Sequence, residues 1–357
     1  MTMTVLFEAT LLANLKLKNR VVMCPLTRCR ALANTPNPLM AKYYEQRSCA
    51  GLIITEGASP SPNGLGYARI PGLFNKSHVD GWKLTTQAVH KHGSRIFVQL
   101  MHCGRIGHPL NMPEGTRLMA PSAIAAAGTM WTDAQGPQEY PVPREMSEND
   151  IKIAIGEYAH ACKLAVDAGF DGVELHGANG YLIDQFLNTA SNQRKDGWGG
   201  SIKNRAHFAL EVVKAAAAAI GHSKIGIRLS PHGVFNGMIP DAAMDDLYIH
   251  LAKELSALRI AYIHLVDHHS MGAPKVSDEL KAAIRKNFRG ALILSGGYDR
   301  DRAEADLNAE SGDLIAFGRP FISNPNLVEK LKAGIELTPA NPDTFYTADE
   351  KGYVDYT

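Results

Sequence analysis

The sequence predicts an α/β fold, a TIM (β/α)₈ barrel with a lid inserted after its third strand. Short β-branched runs alternate with longer helical patterns, the signature of βα units around a parallel sheet. Eight such runs occur, the number that closes a barrel. The length, 357 residues, suits one barrel with insertions.

The expected strands span 19–26, 51–56, 95–100, 172–176, 224–229, 261–266, 291–295 and 314–317. Helices are expected over 38–49, 78–92, 151–168, 201–220, 241–258, 276–288, 300–307 and 325–333. The third helix has a readable start and stop. Ser147 is followed three residues later by Asp150, a capping box, and Gly169 supplies the left-handed end. The segment 102–146 is too long for an ordinary βα loop and is rich in Pro and Gly, so it reads as a lid or small hairpin. Residues 5–18 are expected to form a hairpin over the barrel bottom, and the whole of 1–357 to be one domain. A doubly wound dinucleotide fold is disfavoured. The pairs Gly64/Gly66 and Gly197/Gly199 lack a third glycine and a strand–turn–helix setting.

Charge is balanced, with 37 basic and 36 acidic residues and a formal net charge of +1, so no nucleic-acid or anionic-membrane partner is expected. The five cysteines, Cys24, Cys29, Cys49, Cys103 and Cys162, show no C-x-x-C or zinc spacing, which suits reduced thiols in the cytoplasm. The first ten residues lack a basic region followed by an apolar core, so no signal peptide is expected, and no apolar run is long enough for a bilayer.

Polar residues at the C-terminal ends of barrel strands report chemistry. The first strand ends in Pro25-Leu26-Thr27-Arg28, the second in Glu56-Gly57-Ala58, and the third carries Gln99. The fourth ends in His176-Gly177-Ala178-Asn179-Gly180-Tyr181, and the fifth carries Arg228. Gly296, Gly297, Gly318 and Arg319 follow the seventh and eighth strands, where this fold commonly holds phosphate. Arg228 lies within an apolar run. It reads either as half of an internal ion pair with Glu56 or Glu174, or as a cation for a polar ring that becomes negative on reduction. His176 and Asn179 can both donate to one oxygen, and Tyr181 can deliver a proton. Taken singly, each has a duller reading: a satisfied strand-end histidine, a turn asparagine, a packing tyrosine.

As an ordered set these motifs, with Asn204-Arg205, Arg228-Leu229-Ser230-Pro231, Ala316-Phe317-Gly318-Arg319-Pro320-Phe321-Ile322 and Gly352-Tyr353-Val354-Asp355-Tyr356, resemble the classical branch of the Old Yellow Enzyme family over nearly the whole chain. The resemblance implies non-covalent FMN, NADPH or NADH as reductant, and reduction of the C=C bond of α,β-unsaturated carbonyl or nitro compounds. It implies hydride transfer from flavin N5 and protonation by Tyr181. Pro25, Leu26, Thr27 and Ala58 would line the flavin ring. Gln99 and Arg228 would bind its pyrimidine end, and Gly296, Gly297, Gly318 and Arg319 its phosphate. His176 and Asn179 would hold the substrate oxygen, Tyr67 would touch substrate, and Tyr353 would cap the pocket.

The chain departs from its relatives at Met101, where many have Trp, and at Cys24 and Cys103; Cys103 is expected near the pocket mouth, open to oxidation. No metal site is expected. The competing reading is a zinc hydrolase built on His264, Asp267, His268 and His269.

Overall fold

The computed structural model describes residues 4–357; Met1, Thr2 and Met3, on which the leader and hairpin expectations partly fall, lie outside the described residues. The chain opens with a hairpin, β1 (Thr10–Leu12) and β2 (Leu15–Leu17), and then enters the barrel at β3 (Val21–Met23). Helix α1 (Pro38–Gln46), strand β4 (Leu52–Ala58), helix α2 (Lys76–His90) and strand β5 (Arg95–Leu100) follow. The long insertion carries β6 (Met119–Ala120), β7 (Thr129–Thr132), β8 (Gly136–Glu139) and β9 (Arg144–Glu145). There β7 and β8 form an antiparallel hairpin, and β6 pairs with β9. Then come α3 (Glu148–Asp167), β10 (Gly172–Gly177), α4 (Leu182–Leu187), α5 (Ile202–Ile220), β11 (Ile225–Leu229), α6 (Met244–Ala257), β12 (Tyr262–Val266) and α7 (Asp278–Asn287). The chain finishes with β13 (Ala291–Ser295), α8 (Arg300–Asn308), β14 (Leu314–Phe317), α9 (Pro320–Ser323) and α10 (Leu327–Ala333).

The eight strands β3, β4, β5 and β10 to β14 close into a barrel in chain order, all parallel, with β14 pairing back onto β3. The TIM-barrel fold is therefore as expected. The first strand is shorter than expected because Pro25 has no N–H for the ladder, although the Cys24 N–H still reaches Phe317 O at 2.9 Å. Helix starts are set by side-chain caps. Asn37, Asn75, Ser201, Ser277 and Asp299 each accept a backbone N–H of the following first turn, and Ser147 with Asp150 forms the capping box. No described helix is long and apolar enough to cross a membrane.

The two-residue period of a strand sorts the core. Val21, Met23, Ile53, Ile96 and Val98 face the helices, while Val22, Leu52, Ile54 and Phe97 face inward with Tyr262, Ile293 and Leu314. Leu12 and Leu17 of the hairpin, both fully buried, join the inward set and seal the barrel's lower end. Gly226 leaves room for Tyr262, because a Cβ there would lie 2.1 Å from its ring. Two residues further up, the same periodicity turns Cys24, Gln99, Glu174, Arg228, His264 and Ser295 toward the axis, all buried, so a polar layer rests on an apolar one.

Candidate active site

A cavity of about 580 Å³ opens over that polar layer at the C-terminal ends of the strands, a volume in the range of cofactor sites. Pro25, Leu26, Thr27, Gln99, His176, Asn179, Tyr181, Arg228, Gly296, Gly297, Gly318 and Arg319 all line it. Three expected site residues fall elsewhere. Ala58 is fully buried in β4 and does not line the cavity. Tyr67 stands behind Tyr181, its hydroxyl 3.0 Å from the Tyr181 hydroxyl. Tyr353 is fully buried, stacked on Tyr43 with centroids 4.0 Å apart, and lies under the Arg28 and Arg30 guanidinium groups. It therefore does not cap the cavity.

Phe345 and Tyr346 form that wall instead. Two buried arginines hold them. Arg28 Nε and Nη2 donate to Phe345 O and Gly352 O at 3.1 and 2.7 Å. Arg30 donates to Phe345 O, Thr344 O, Asp349 O and Lys351 O and to Thr347 Oγ1. All but one of these bonds pair the arginines with backbone carbonyls, and nothing in a residue pattern marks a carbonyl as a partner.

At one end of the cavity, Gln99 Nε2 donates to Glu174 Oε1 at 2.8 Å, which leaves its amide oxygen to accept from a ligand. Glu174 also meets His264 Nδ1 at 2.9 Å, and His264 Nε2 meets Ser295 Oγ at 3.0 Å. Glu56 is engaged by the Arg28 N–H and the Tyr44 hydroxyl. Neither carboxylate pairs with Arg228. Its guanidinium forms no ion pair among the described residues, and its Nε is buried without a partner. The internal-ion-pair reading of Arg228 is thus replaced by a cation aimed into the cavity, a costly arrangement in the absence of a ligand.

The turn after β10 presents the opposite group. Asn179 adopts φ +61°, which asparagine tolerates better than most residues. The Asn179 N–H donates to Ser230 Oγ at 3.0 Å, and the Asn179 carbonyl accepts from Asn236 Nδ2 at 2.8 Å. The Gly180 N–H donates to Asp184 Oδ2 at 2.8 Å; burial pushes the Asp184 carboxyl up to about 7. His176 is buried with Nδ1 unpartnered, and burial, then the nearby Arg228 charge, holds its imidazole well below its ordinary range, so it is neutral. The Tyr181 ring lies 4.9 Å from the His176 ring, and burial raises its phenol.

At the far end, Gly296 has φ +128°, and a Cβ there would meet Asp267 O at 2.1 Å. Gly297 follows, and exposed Arg319 faces them from the neighbouring loop after β14. Arg302 Nη1 fixes the Gly296 carbonyl at 2.8 Å.

The residues expected to depart from relatives also resolve. Met101 lines the cavity and packs against Gly57, where a Cβ would lie 2.7 Å from its sulfur. Cys24 lines the cavity with its thiol pushed up to about 11, mainly by burial. Cys103 is fully buried, and burial raises its thiol further still, so it is not at an oxidisable mouth. The histidines of the zinc reading are dispersed. His264 is bonded inside the barrel, His268 Nε2 meets Asn179 Oδ1 at 2.7 Å, and exposed His269 meets Asp267 through its backbone N–H.

An unpaired cation, an amide acceptor, a glycine cradle with an arginine and a neutral His/Asn/Tyr group around one slot define a barrel oxidoreductase for a flat, phosphorylated ring. The residues fit FMN: the buried, unpartnered Arg228 Nε suits its pyrimidine edge, and the glycine pair suits its phosphate. The sequence model of the NADH:flavin oxidoreductase / NADH oxidase family matches residues 5–338. A protein of Leishmania infantum named "Probable flavin mononucleotide-dependent alkene reductase" is 39% identical over 357 residues, covering 99% of this chain and 97% of that one. The 12-oxophytodienoate reductase 7 of Oryza sativa subsp. japonica is 36% identical over 370 residues, covering 98% and 94%. Solved morphinone reductase superposes with a TM-score of 0.95 at 40% identity, covering 99% of this chain and 96% of that one. The chain belongs to the NADH:flavin oxidoreductase / NADH oxidase family, in its Old Yellow Enzyme group. It is an FMN-dependent, NAD(P)H-using oxidoreductase.

Proposed function

We propose that this reductase acts on alkenes conjugated to a carbonyl or nitro group, with His176 and Asn179 gripping the activating oxygen and Tyr181 protonating the α-carbon. Bound FMN, reduced by NAD(P)H, supplies the hydride. Negative charge grows on the substrate oxygen as hydride reaches the β-carbon, and two neutral donors stabilise it without a fixed charge that would also bind the ground state. Gln99 and Arg228 would hold the pyrimidine end of the cofactor, Arg228 supplying a positive charge there, and Pro25, Leu26 and Thr27 would line its ring. Gly296, Gly297, Gly318 and Arg319 would hold the phosphate. Each hydroxyl of the Tyr67–Tyr181 pair has one proton. Donation from Tyr67 leaves the Tyr181 proton free for substrate and stabilises the phenolate left behind.

The observation that carries this reading is the convergence of His176, Asn179 and Tyr181 on the same slot as the unpaired Arg228. Anaerobic titration of the yellow holoenzyme with NADPH, then with 2-cyclohexenone, tests it. Bleaching by the first and recovery of colour by the second are expected; a bleached enzyme that the enone leaves unchanged defeats the proposed substrate class. We place the whole chain in one barrel domain, with 102–146 as a lid over the mouth. Five unpaired cysteines favour a cytoplasmic setting, and balanced charge argues against a nucleic-acid partner.

A further inference from the structure

The substrate-facing group of Asn179 is decided outside its own turn. Its N–H and C=O are committed to Ser230 and Asn236, so the backbone is fixed and only the amide can rotate. Two orientations are available to it, and they have opposite chemistry. With Nδ2 turned to the cavity, Asn179 donates to a substrate oxygen; with Oδ1 turned there, it sets a lone pair against that oxygen. His268, in the loop after β12, touches this amide. Its Nε2 lies 2.7 Å from Asn179 Oδ1, a bond spanning 89 residues of sequence. Asn179 Nδ2 has no protein partner among the described residues, and both side chains line the cavity.

We propose that His268 is a positioning residue of this enzyme: donation from its Nε2–H to Asn179 Oδ1 locks the amide with Nδ2 facing the substrate oxygen. The proposal rests on the reading of Asn179 given above. The imidazole has the means to hold one arrangement. Burial, then Arg228, lowers its pKa to about 4, so near neutral pH it has a single N–H. The Phe235 ring stacks on it at 6.2 Å with an interplanar angle of 22°. An acceptor oxygen facing Nε2 requires the proton on that nitrogen. The opposite tautomer would accept from Nδ2 and turn Oδ1 inward, cancelling the donation that His176 makes beside it. His268 thus selects between a two-donor site and a mixed one without touching the reacting atoms.

The test uses holoenzyme loaded with FMN and titrated with 4-hydroxybenzaldehyde, whose phenolate mimics the developing enolate and gives a long-wavelength charge-transfer band over flavin. Four proteins are compared: wild type, Asn179→Ala, His268→Phe and His268→Gln. Phe keeps the ring stack and loses the donor; Gln keeps a donor at about the reach of Nε2. Asn179→Ala weakens binding if the underlying reading is right. His268→Phe then weakens it roughly tenfold, the worth of one well-placed hydrogen bond, and His268→Gln restores it to within about threefold of wild type. Wild-type affinity in His268→Phe, with Asn179→Ala still impaired, overturns the positioning role and leaves the Asn179 reading standing. Equal loss in His268→Phe and His268→Gln also overturns it, because the imidazole would then matter for something other than donation. Wild-type affinity in Asn179→Ala removes both.

Discussion

Arg30→Met should loosen the aromatic wall of the cavity while leaving the barrel intact. Arg30 is fully buried and makes five hydrogen bonds to residues 344–351, plus a sixth from Nη1 to Arg28 O at 2.6 Å. A hydrogen bond from a charged donor is worth roughly 1.5–3 kcal/mol, but the sum is not additive, because carbonyls freed on opening regain water. Burial and the neighbouring Arg28 both oppose its charge and lower its pKa, which offsets part of the gain. Two bonds' worth at the low end, about 3 kcal/mol, is the expected net loss. Local opening of 344–352 then becomes roughly 100-fold more frequent. Amide hydrogen exchange of the holoenzyme reads this directly, since the Phe345, Tyr353 and Val354 amides are all hydrogen-bonded. Their exchange should accelerate by about that factor while β10 to β14 stay protected, and FMN should dissociate faster. Wild-type protection of these amides in Arg30→Met would refute the clamp.

Tyr181→Phe should retain FMN and phenol binding and slow flavin reoxidation by 2-cyclohexenone by roughly 10²–10⁴, the span of a general acid; unchanged stopped-flow rates would remove Tyr181 from that role. Tyr67→Phe should slow the same half-reaction by roughly tenfold and leave reduction by NADPH alone, and equal slowing of both halves would contradict donation to Tyr181. Gly296→Ala forces a Cβ to 2.1 Å from Asp267 O at φ +128°, so the FMN dissociation constant, read from flavin fluorescence, should rise by at least tenfold. Asp184 titrates at about 7 against an ordinary 3.8, so the folded state binds the extra proton between those values and stability falls as pH rises through that window. The full difference is on the order of 4 kcal/mol, and it is reached above pH 7. Asp184→Asn keeps an acceptor for the Gly180 N–H, so its melting temperature should gain on wild type at pH 8.5 and not at pH 4.5; an equal difference at both would count against a buried, destabilised carboxylate.

Much of the barrel was legible because each strand carries its own evidence. The bounds expected for β5, β13 and β14 coincide with those observed, and a glycine follows each of the last two. The strand expected over 19–26 shrank to Val21–Met23 because Asn19 turns its side chain onto the Val21 and Gly51 N–H groups and Pro25 ends the ladder. Helix α2 begins at Lys76 because Asn75 caps it, a start hidden by the polar residues around it. In the site, Gln99, His176 and Arg228 were readable because a strand's alternation fixes which side chains enter the barrel, and Asn179 because it sits in the short turn that follows His176. Their partners were not. The His268–Asn179 bond and the Arg30–Phe345 bond join residues 89 and 315 positions apart, and only the closed barrel brings them together. Tyr353 was misplaced for the same reason: an aromatic near the pocket in sequence terms is drawn behind it by stacking on Tyr43.

The cavity wall is shared between residues 24–28 at one end of the chain and Phe345 and Tyr346 toward the other. Arg28 and Phe345 stand 317 positions apart in the sequence, so the cavity is enclosed on that side only once these two distant segments have met.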